Sequence, residues 1–325
     1  MFHAYRLYVK HNTPYAYNIY KEYYVVYADN TYKEYRIVHA SCVYKEYHVV
    51  YAANIPDIYL RPFPRFMQIL TIANRKGGVG KTTSAWAIAH ALANRGERTL
   101  LVDCDPQRNL SLILPQLPAD KHIGLVANGE ASLAQVMQPV GAQLWLVQAT
   151  EAIVAAEKVL GTQMDYIMIL KSALEGLEDK MDYVIFDTSP SPHSPLAAAA
   201  LTASTATFIP VHPEYLSYEG LTSLLDMVAR VKKSFNPNLQ VGGLFLTRYS
   251  STYRKRLHHE FVDMLRQHEV LGPLLMLTTI RENVALAEAQ VNRQSLQEYA
   301  PTSNAFEDYE NLTTEILGRL AALAT

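Results

Sequence analysis

Eight consecutive residues of this chain, Lys76-Gly77-Gly78-Val79-Gly80-Lys81-Thr82-Thr83, have the types and spacing to hold a phosphate chain. Glycines at three of four positions let the backbone turn its N–H groups inward around an anion. A helix beginning near Lys81 adds its positive end to the same spot. Lys81 then reaches the β- and γ-phosphates of a nucleotide, and the Thr82 hydroxyl becomes a ligand of a phosphate-bound Mg²⁺. Carboxylates end two apolar runs further on: Asp103-Cys104-Asp105 after Arg98-Thr99-Leu100-Leu101-Val102, and Asp187 at the end of Asp182-Tyr183-Val184-Ile185-Phe186. Acids at the C-terminal ends of buried parallel strands sit where open α/β sheets bind ligands. Asp187 in that position meets Mg²⁺ through water, which suits an ion that keeps most of its hydration shell. For Asp103 and Asp105, capping of the following helix is the other role such residues fill.

The elements that must position these groups follow from the hydropathy pattern. Ile69-Leu70-Thr71-Ile72-Ala73 reads as a strand into the glycine loop, and the alanine-rich run from Ser84 to Arg95 as the helix out of it, stopped by Gly96. From Met67 onward strand-like and helix-like segments alternate. This predicts an α/β fold, a doubly wound, mainly parallel sheet flanked by helices on both faces. Further strands are expected at 143–147, 207–215 and 241–247. Further helices are expected over 165–180, with Ile167, Leu170, Leu174 and Leu177 inward, over 216–233, and over 304–324 with Leu312, Ile316, Leu320 and Leu323 on one stripe.

The loop departs from the ordinary P-loop, which wants glycine five residues before Gly80, where this chain has Arg75 followed by Lys76. In this deviant form, Lys-Gly-Gly-x-Gly-Lys-Thr-Thr, the sequence resembles the ParA/MinD family of dimeric P-loop ATPases. The resemblance spans 67–325. It includes Asp103-Cys104-Asp105-Pro106-Gln107-Arg108-Asn109, with Arg108 where the family has glycine, and the stretch from Ile209 to Leu221. It implies ATP and Mg²⁺ as ligands and a homodimer formed on ATP. It also implies that Lys76 acts across that dimer on the partner's phosphates, as an arginine finger does. Lys76, Lys81 and Asp105 are then the catalytic set, with Asp105 positioning the attacking water. Thr82, Asp103 and Asp187 serve the metal, and residues 76–83 with Thr247 and Arg248 hold the nucleotide. If the site of Arg108 needs φ > 0, a non-glycine residue there costs about 1–2 kcal/mol. After Asp187, Ser189 and His193 replace residues that are usually proline and glycine in the family's switch loop; His193 is read as a surface loop residue.

The same resemblance implies partition of plasmid or chromosome. The ATP dimer binds DNA of any sequence, and a centromere-binding ParB-like protein stimulates hydrolysis and releases it. The densest positive cluster, Arg254, Lys255 and Arg256, is the expected phosphate contact, with Arg281 and Arg293 as second contributors and Lys232 and Lys233 at the rim. A solvated helix start is the other reading of that cluster. A membrane-cycling relative needs a basic amphipathic tail, and here Arg319 is the one basic residue of an acidic helix, so no membrane partner is expected. A reductase relative needs cysteines for an iron–sulfur cluster, and this chain has only Cys42 and Cys104. A nucleotide-switched regulator with weak hydrolysis is the remaining alternative.

With 29 Lys and Arg against 31 Asp and Glu, the net charge is −2, so DNA contact has to come from a local patch. Two cysteines and the lack of a long apolar run or signal-like start fit a soluble, cytoplasmic protein, and the resemblance implies that it associates with the nucleoid. Residues 1–66 are unlike the rest: they hold 14 of the 22 tyrosines and none of the 14 glycines, and Tyr-Lys-Glu-Tyr recurs from Tyr20, Tyr32 and Tyr44. This leader is either a tandem DNA repeat translated from a start upstream of Met67 or a set of aromatic strands or helical faces. It is set apart from the 67–325 domain.

Overall fold

The computed structural model describes residues 67–214 and 217–323 in full, and the backbone of four strands before them. Two units divide the chain, Met1–Phe66 and Met67–Thr325. In the first, β1 (Ala4–Lys10), β2 (Tyr20–Val26), β3 (Arg36–Ala40) and β4 (Tyr47–Tyr51) pair in antiparallel order β1-β2-β3-β4. Tyr20, Tyr23 and Tyr24, which a helix would have set on one face, therefore lie in a strand. Tyr215, Leu216 and Ala324, at the ends of expected elements, fall outside the described residues.

The second unit is built on an eight-stranded sheet. Its strands are β5 (Gln68–Ile72), β6 (Thr99–Cys104), β7 (Gln138–Gly141), β8 (Leu144–Val147), β9 (Tyr183–Thr188), β10 (Ala206–Val211), β11 (Gln240–Thr247) and β12 (Leu275–Ile280). The spatial order is β12-β11-β10-β5-β9-β6-β8-β7, and only the β7–β8 pair is antiparallel. Every residue of β6, β9 and β10 is buried, as their unbroken apolar runs require of strands covered on both faces. Alternate side chains feed two layers. Leu70, Ile72, Leu101 and Phe245 pack against Trp86, Ile88 and Leu92 of the helix Lys81–Asn94 and against Tyr309, Leu312 and Ile316 of the helix Asn304–Leu323. On the other face Leu100, Val102, Val184 and Phe186 meet the helices Ala152–Leu160 and Pro195–Ala203. There too Leu244 and Leu246 meet Ser217–Ser234 and Arg256–Gln267.

Three expectations change. The helix foreseen over 165–180 is a 3₁₀ turn, Tyr166–Met168, then Ile169–Ala173, then turns; Gly176 at φ 81 cannot continue a right-handed helix. All four apolar residues foreseen inward there, Ile167, Leu170, Leu174 and Leu177, are nevertheless buried. Gln143 leaves its expected strand with φ 56 and makes the turn that returns β7 onto β8. Leu323, foreseen on the buried stripe of the last helix, is exposed at the last described turn of that helix.

Candidate functional site

Strand order brings the chemistry together. The central β5 carries the glycine loop, its neighbour β9 ends in Asp187-Thr188, and β6 beyond it ends in Asp103-Cys104, with Ile72 opposite Asp187 and Asp187 opposite Asp103. Segments more than a hundred residues apart in sequence thus open at one edge of the sheet, where the order of strands reverses.

In the loop Gly78 and Gly80 take φ 72 and 91, conformations that only glycine enters without strain, and the helix starts at Lys81. A Cβ built on Gly77 or Gly78 would meet no atom within 4 Å, so the cradle opens to free space. Lys81 is buried, with its ammonium 3.2 Å from the carbonyl oxygen of Lys76; burial lowers its pKa, and the carboxylates of Asp187 and Asp105 oppose that. Neighbours fix the loop from below. The Thr247 hydroxyl at the end of β11 donates to the Val79 carbonyl at 2.9 Å, and Gln290 donates to the Thr83 hydroxyl at 3.1 Å. Asn74 donates to Pro210 O at 2.8 Å and accepts from Lys76 N at 2.9 Å. Arg248, next along from Thr247, is exposed with φ 52.

Two fully buried carboxylates face each other on neighbouring strands. Asp103 accepts from the Ser111 hydroxyl and N–H at 2.7 and 2.9 Å and from Asp105 N at 3.1 Å. Burial outweighs those bonds and raises its pKa to about 6. Both oxygens of Asp187 are buried without a hydrogen-bond partner, the Thr82 hydroxyl lying beside them short of good geometry. Burial first, then the Asp103 charge, pushes the Asp187 carboxyl well above its ordinary pKa, while Thr82 and Lys81 pull it down. An orphaned carboxylate, a second buried acid, a free hydroxyl and a single ammonium are short of positive charge, and that donor set fits Mg²⁺. No three His, Cys, Asp or Glu side chains converge as a cage among the described residues. Asp105, also buried, closes a turn by accepting from Gln107 N at 2.9 Å. Arg108 has φ 59, so the loop does take the left-handed geometry for which glycine is suited, and its side chain reaches Glu151 at 3.5 Å. The expected strain is present and the loop geometry is kept.

Lys76 lies at the rim. Its ammonium contacts Glu214 Oε2 at 2.5 Å and Ser217 Oγ at 2.9 Å, both in its own chain. The helix Ser217–Ser234 comes this close because Gly220 faces the loop: a Cβ there would sit 3.3 Å from both Asn74 Oδ1 and Lys76 N. Asn74, Ser111, Glu214, Ser217 and Gly220 were not foreseen as parts of the site. Their one sequence signal is that the last three fall in the stretch from Ile209 to Leu221.

The basic residues divide. Arg254 is exposed and has no acidic partner among the described residues. Lys255 pairs with Glu282 at 3.7 Å and Arg256 with Glu260 at 2.7 Å, all on the surface. Arg293 is exposed at the end of the helix Ala285–Asn292. Arg281 differs from what was foreseen: its guanidinium is tied to Asp308 at 2.6 Å and Glu307 at 2.8 Å, fastening the last helix to the end of β12. Those carboxylates push its pKa up.

Known proteins share the family and the fold of residues 67–325. The family described as AAA domain matches residues 67–241. The chromosome-partitioning ATPase Soj of Treponema pallidum is 35% identical over 251 residues, covering 77% of this chain and 97% of its own. A crystal structure of cobyrinic acid a,c-diamide synthase from Mycobacterium smegmatis with bound ADP and magnesium matches with a TM-score of 0.66 at 27% identity, over 79% of this chain and 96% of that one. A putative plasmid partition protein of Borrelia burgdorferi bound to AMPPNP, at 23% identity, shares the fold with a TM-score of 0.64 over 79% of this chain and 99% of its own.

Proposed function

Because this chain belongs to the ParA family of partitioning P-loop ATPases, we propose that it is a DNA-partition ATPase that pairs on ATP, grips DNA of any sequence and lets go on hydrolysis. The observation that carries this reading is the meeting of Lys81, Thr82, Asp103, Asp105 and Asp187 at one sheet edge, with Lys76 at the rim beside them.

Loop N–H groups and Lys81 bind the β- and γ-phosphates, and Thr247 with Arg248 border the base. Thr82, Asp187 and Asp103 would hold the hydrated Mg²⁺, which when bound offsets the charge of the phosphate chain. Asp105 orients the water that attacks the γ-phosphorus in line with the leaving β-phosphate oxygen. Lys76 leaves Glu214 and reaches the phosphates of a second copy, where its charge meets the negative charge that grows on the transferring group. Arg254, Lys255, Arg256 and Arg293 then contact DNA phosphates. A centromere-bound ParB-like partner stimulates hydrolysis, which ends the pairing. Among the described residues no helix is long and apolar enough to cross a membrane. The reading places the protein in the cytoplasm, on the nucleoid.

Lys76→Ala tests it. Sedimentation with ATP and Mg²⁺ should show the wild type as a dimer and the variant as a monomer that still binds ATP. A variant that pairs and turns over like the wild type would remove the cross-dimer role.

A further inference from the structure

Glu214 is half exposed, yet its carboxylate is fixed from two sides: Oε2 by Lys76 and Oε1 by His212 Nε2 at 3.0 Å. The other ring nitrogen of His212, Nδ1, faces the carbonyl oxygen of Thr247 at 3.1 Å. A carbonyl oxygen and a carboxylate are both acceptors. The ring satisfies the two together only with a proton on each nitrogen, as an imidazolium. His258, on the helix Arg256–Gln267, meets this ring edge-on at 5.4 Å. Its Nδ1 is buried with no partner, and burial, then the charges of Lys255 and His212, lower its pKa. Of the two rings, His212 is the one placed to carry charge.

We propose that His212 is a positioning residue for Lys76: protonated, it shares Glu214 with Lys76, so that Glu214 keeps a cationic partner when Lys76 departs for the phosphates of a second copy. The proposal rests on the reading that Lys76 crosses the dimer. Without its second proton, His212 keeps its N–H on the carboxylate but has no charge to set against it, and Lys76 is then the one cation left on Glu214 and is held harder. ATP-driven pairing is therefore favoured by acid and opposed by base. Among the described residues the ionisable groups around the ring are few. Glu214 faces it from the same turn, with Lys76 on the far side of that carboxylate. The helix Arg256–Gln267 presents His258, with Lys255 just before it. His259 is turned away between the Tyr249 hydroxyl at 3.0 Å and the Tyr253 carbonyl at 2.6 Å. The helix Ser217–Ser234 contributes only the neutral Ser217, whose hydroxyl donates to His212 O at 2.5 Å.

The experiment measures dimerisation of the full chain by sedimentation, with AMPPNP and Mg²⁺, near pH 6 and near pH 8. The wild type should pair about two- to fivefold more tightly at the lower pH, the size expected of one half-exposed ion pair. His212→Gln keeps a neutral donor but cannot titrate, and should reduce that ratio to less than about twofold. Glu214→Gln removes the shared carboxylate and should flatten the profile as well; it carries the test alone if His212→Gln does not fold. A wild type without a pH ratio, or variants that keep it, overturns the proposal. Failure of the underlying reading shows separately, as a Lys76→Ala protein that pairs normally at both pH values.

Discussion

Without Mg²⁺ and nucleotide, Asp103→Asn should gain stability over the wild type at neutral pH and lose part of that gain in acid. Asp103 has its carboxyl pKa raised by burial from an ordinary 3.8 to about 6. That difference corresponds to about 3 kcal/mol between the protonated and ionised forms. The folded state holds the proton more tightly than the unfolded chain, so the penalty is fully present above pH 6 and vanishes below 3.8. Lowering the pH from 7.5 to 5 should return about 1.4 kcal/mol of it to the wild type. Asparagine has the same shape but turns an NH₂ toward one of the donors now aimed at the carboxylate. That cost, about 1 kcal/mol, is the same at both pH values and drops out of the comparison. Asp187 lies opposite in register and is raised in part by the Asp103 charge, so removing that charge relieves it too and adds to the variant's advantage at neutral pH. The assay is urea unfolding of both full-length proteins in EDTA at the two pH values, with equal slopes required before free energies are compared. A stability difference that stays flat, or moves the other way, would show that Asp103 ionises without penalty. The argument for a cation at this site from buried, uncompensated charge would then fail.

Two further outcomes follow from the same site and its surroundings. Asp105→Ala should bind ATP and remain a dimer with hydrolysis nearly abolished, and rapid phosphate release by that variant would contradict its part in orienting water. Reversing Arg254, Lys255 and Arg256 to glutamate should abolish binding to DNA of any sequence. If binding persisted and log K against log[salt] kept the wild-type slope, which runs near −0.9 per neutralised phosphate, the DNA surface lies elsewhere.

The parts of the site legible in the sequence are those that a single local pattern specifies. Gly78 and Gly80 announce positive φ, and the runs ending in Asp103 and Asp187 announce buried strands that carry an acid next to their last residue. Arg108 shows the limit of such reasoning. Its left-handed backbone is present, but the sequence poses only the question of strain, since an arginine signals neither the φ nor the Glu151 contact. The partners of Lys76 were hidden for a different reason. Glu214 and Ser217 are far along the chain and reach the loop only because β10 lies beside β5 and because Gly220 has no side chain to keep the helix away. The segment 165–180 misled because its apolar spacing is helical and its buried residues are the ones foreseen, while Gly176 breaks the backbone that was to carry them.

The same distinction, between what a residue is and what it is paired with, decides which arginines the proposed DNA contact could use. The Arg256–Glu260 pair is exposed on both sides, at 91% and 53%, and such pairs contribute under about 1 kcal/mol, so a phosphate can replace the carboxylate at little cost. The Lys255–Glu282 contact, also on the surface, is looser still at 3.7 Å. Arg281 is held by Asp308, which is only 8% exposed, and drawing the guanidinium away would leave that carboxylate with the Arg281 backbone N–H at 2.8 Å in place of its cation, a larger loss than that of an exposed pair. One or two phosphate contacts do not offset that. Positive charge that can move to a nucleic acid is therefore concentrated at the start of the helix Arg256–Gln267, with Arg254 already unpaired among the described residues. The charge of Arg281 belongs to the joint between β12 and the last helix. Arg281→Ala should accordingly appear in thermal unfolding before it appears in the salt dependence of DNA binding.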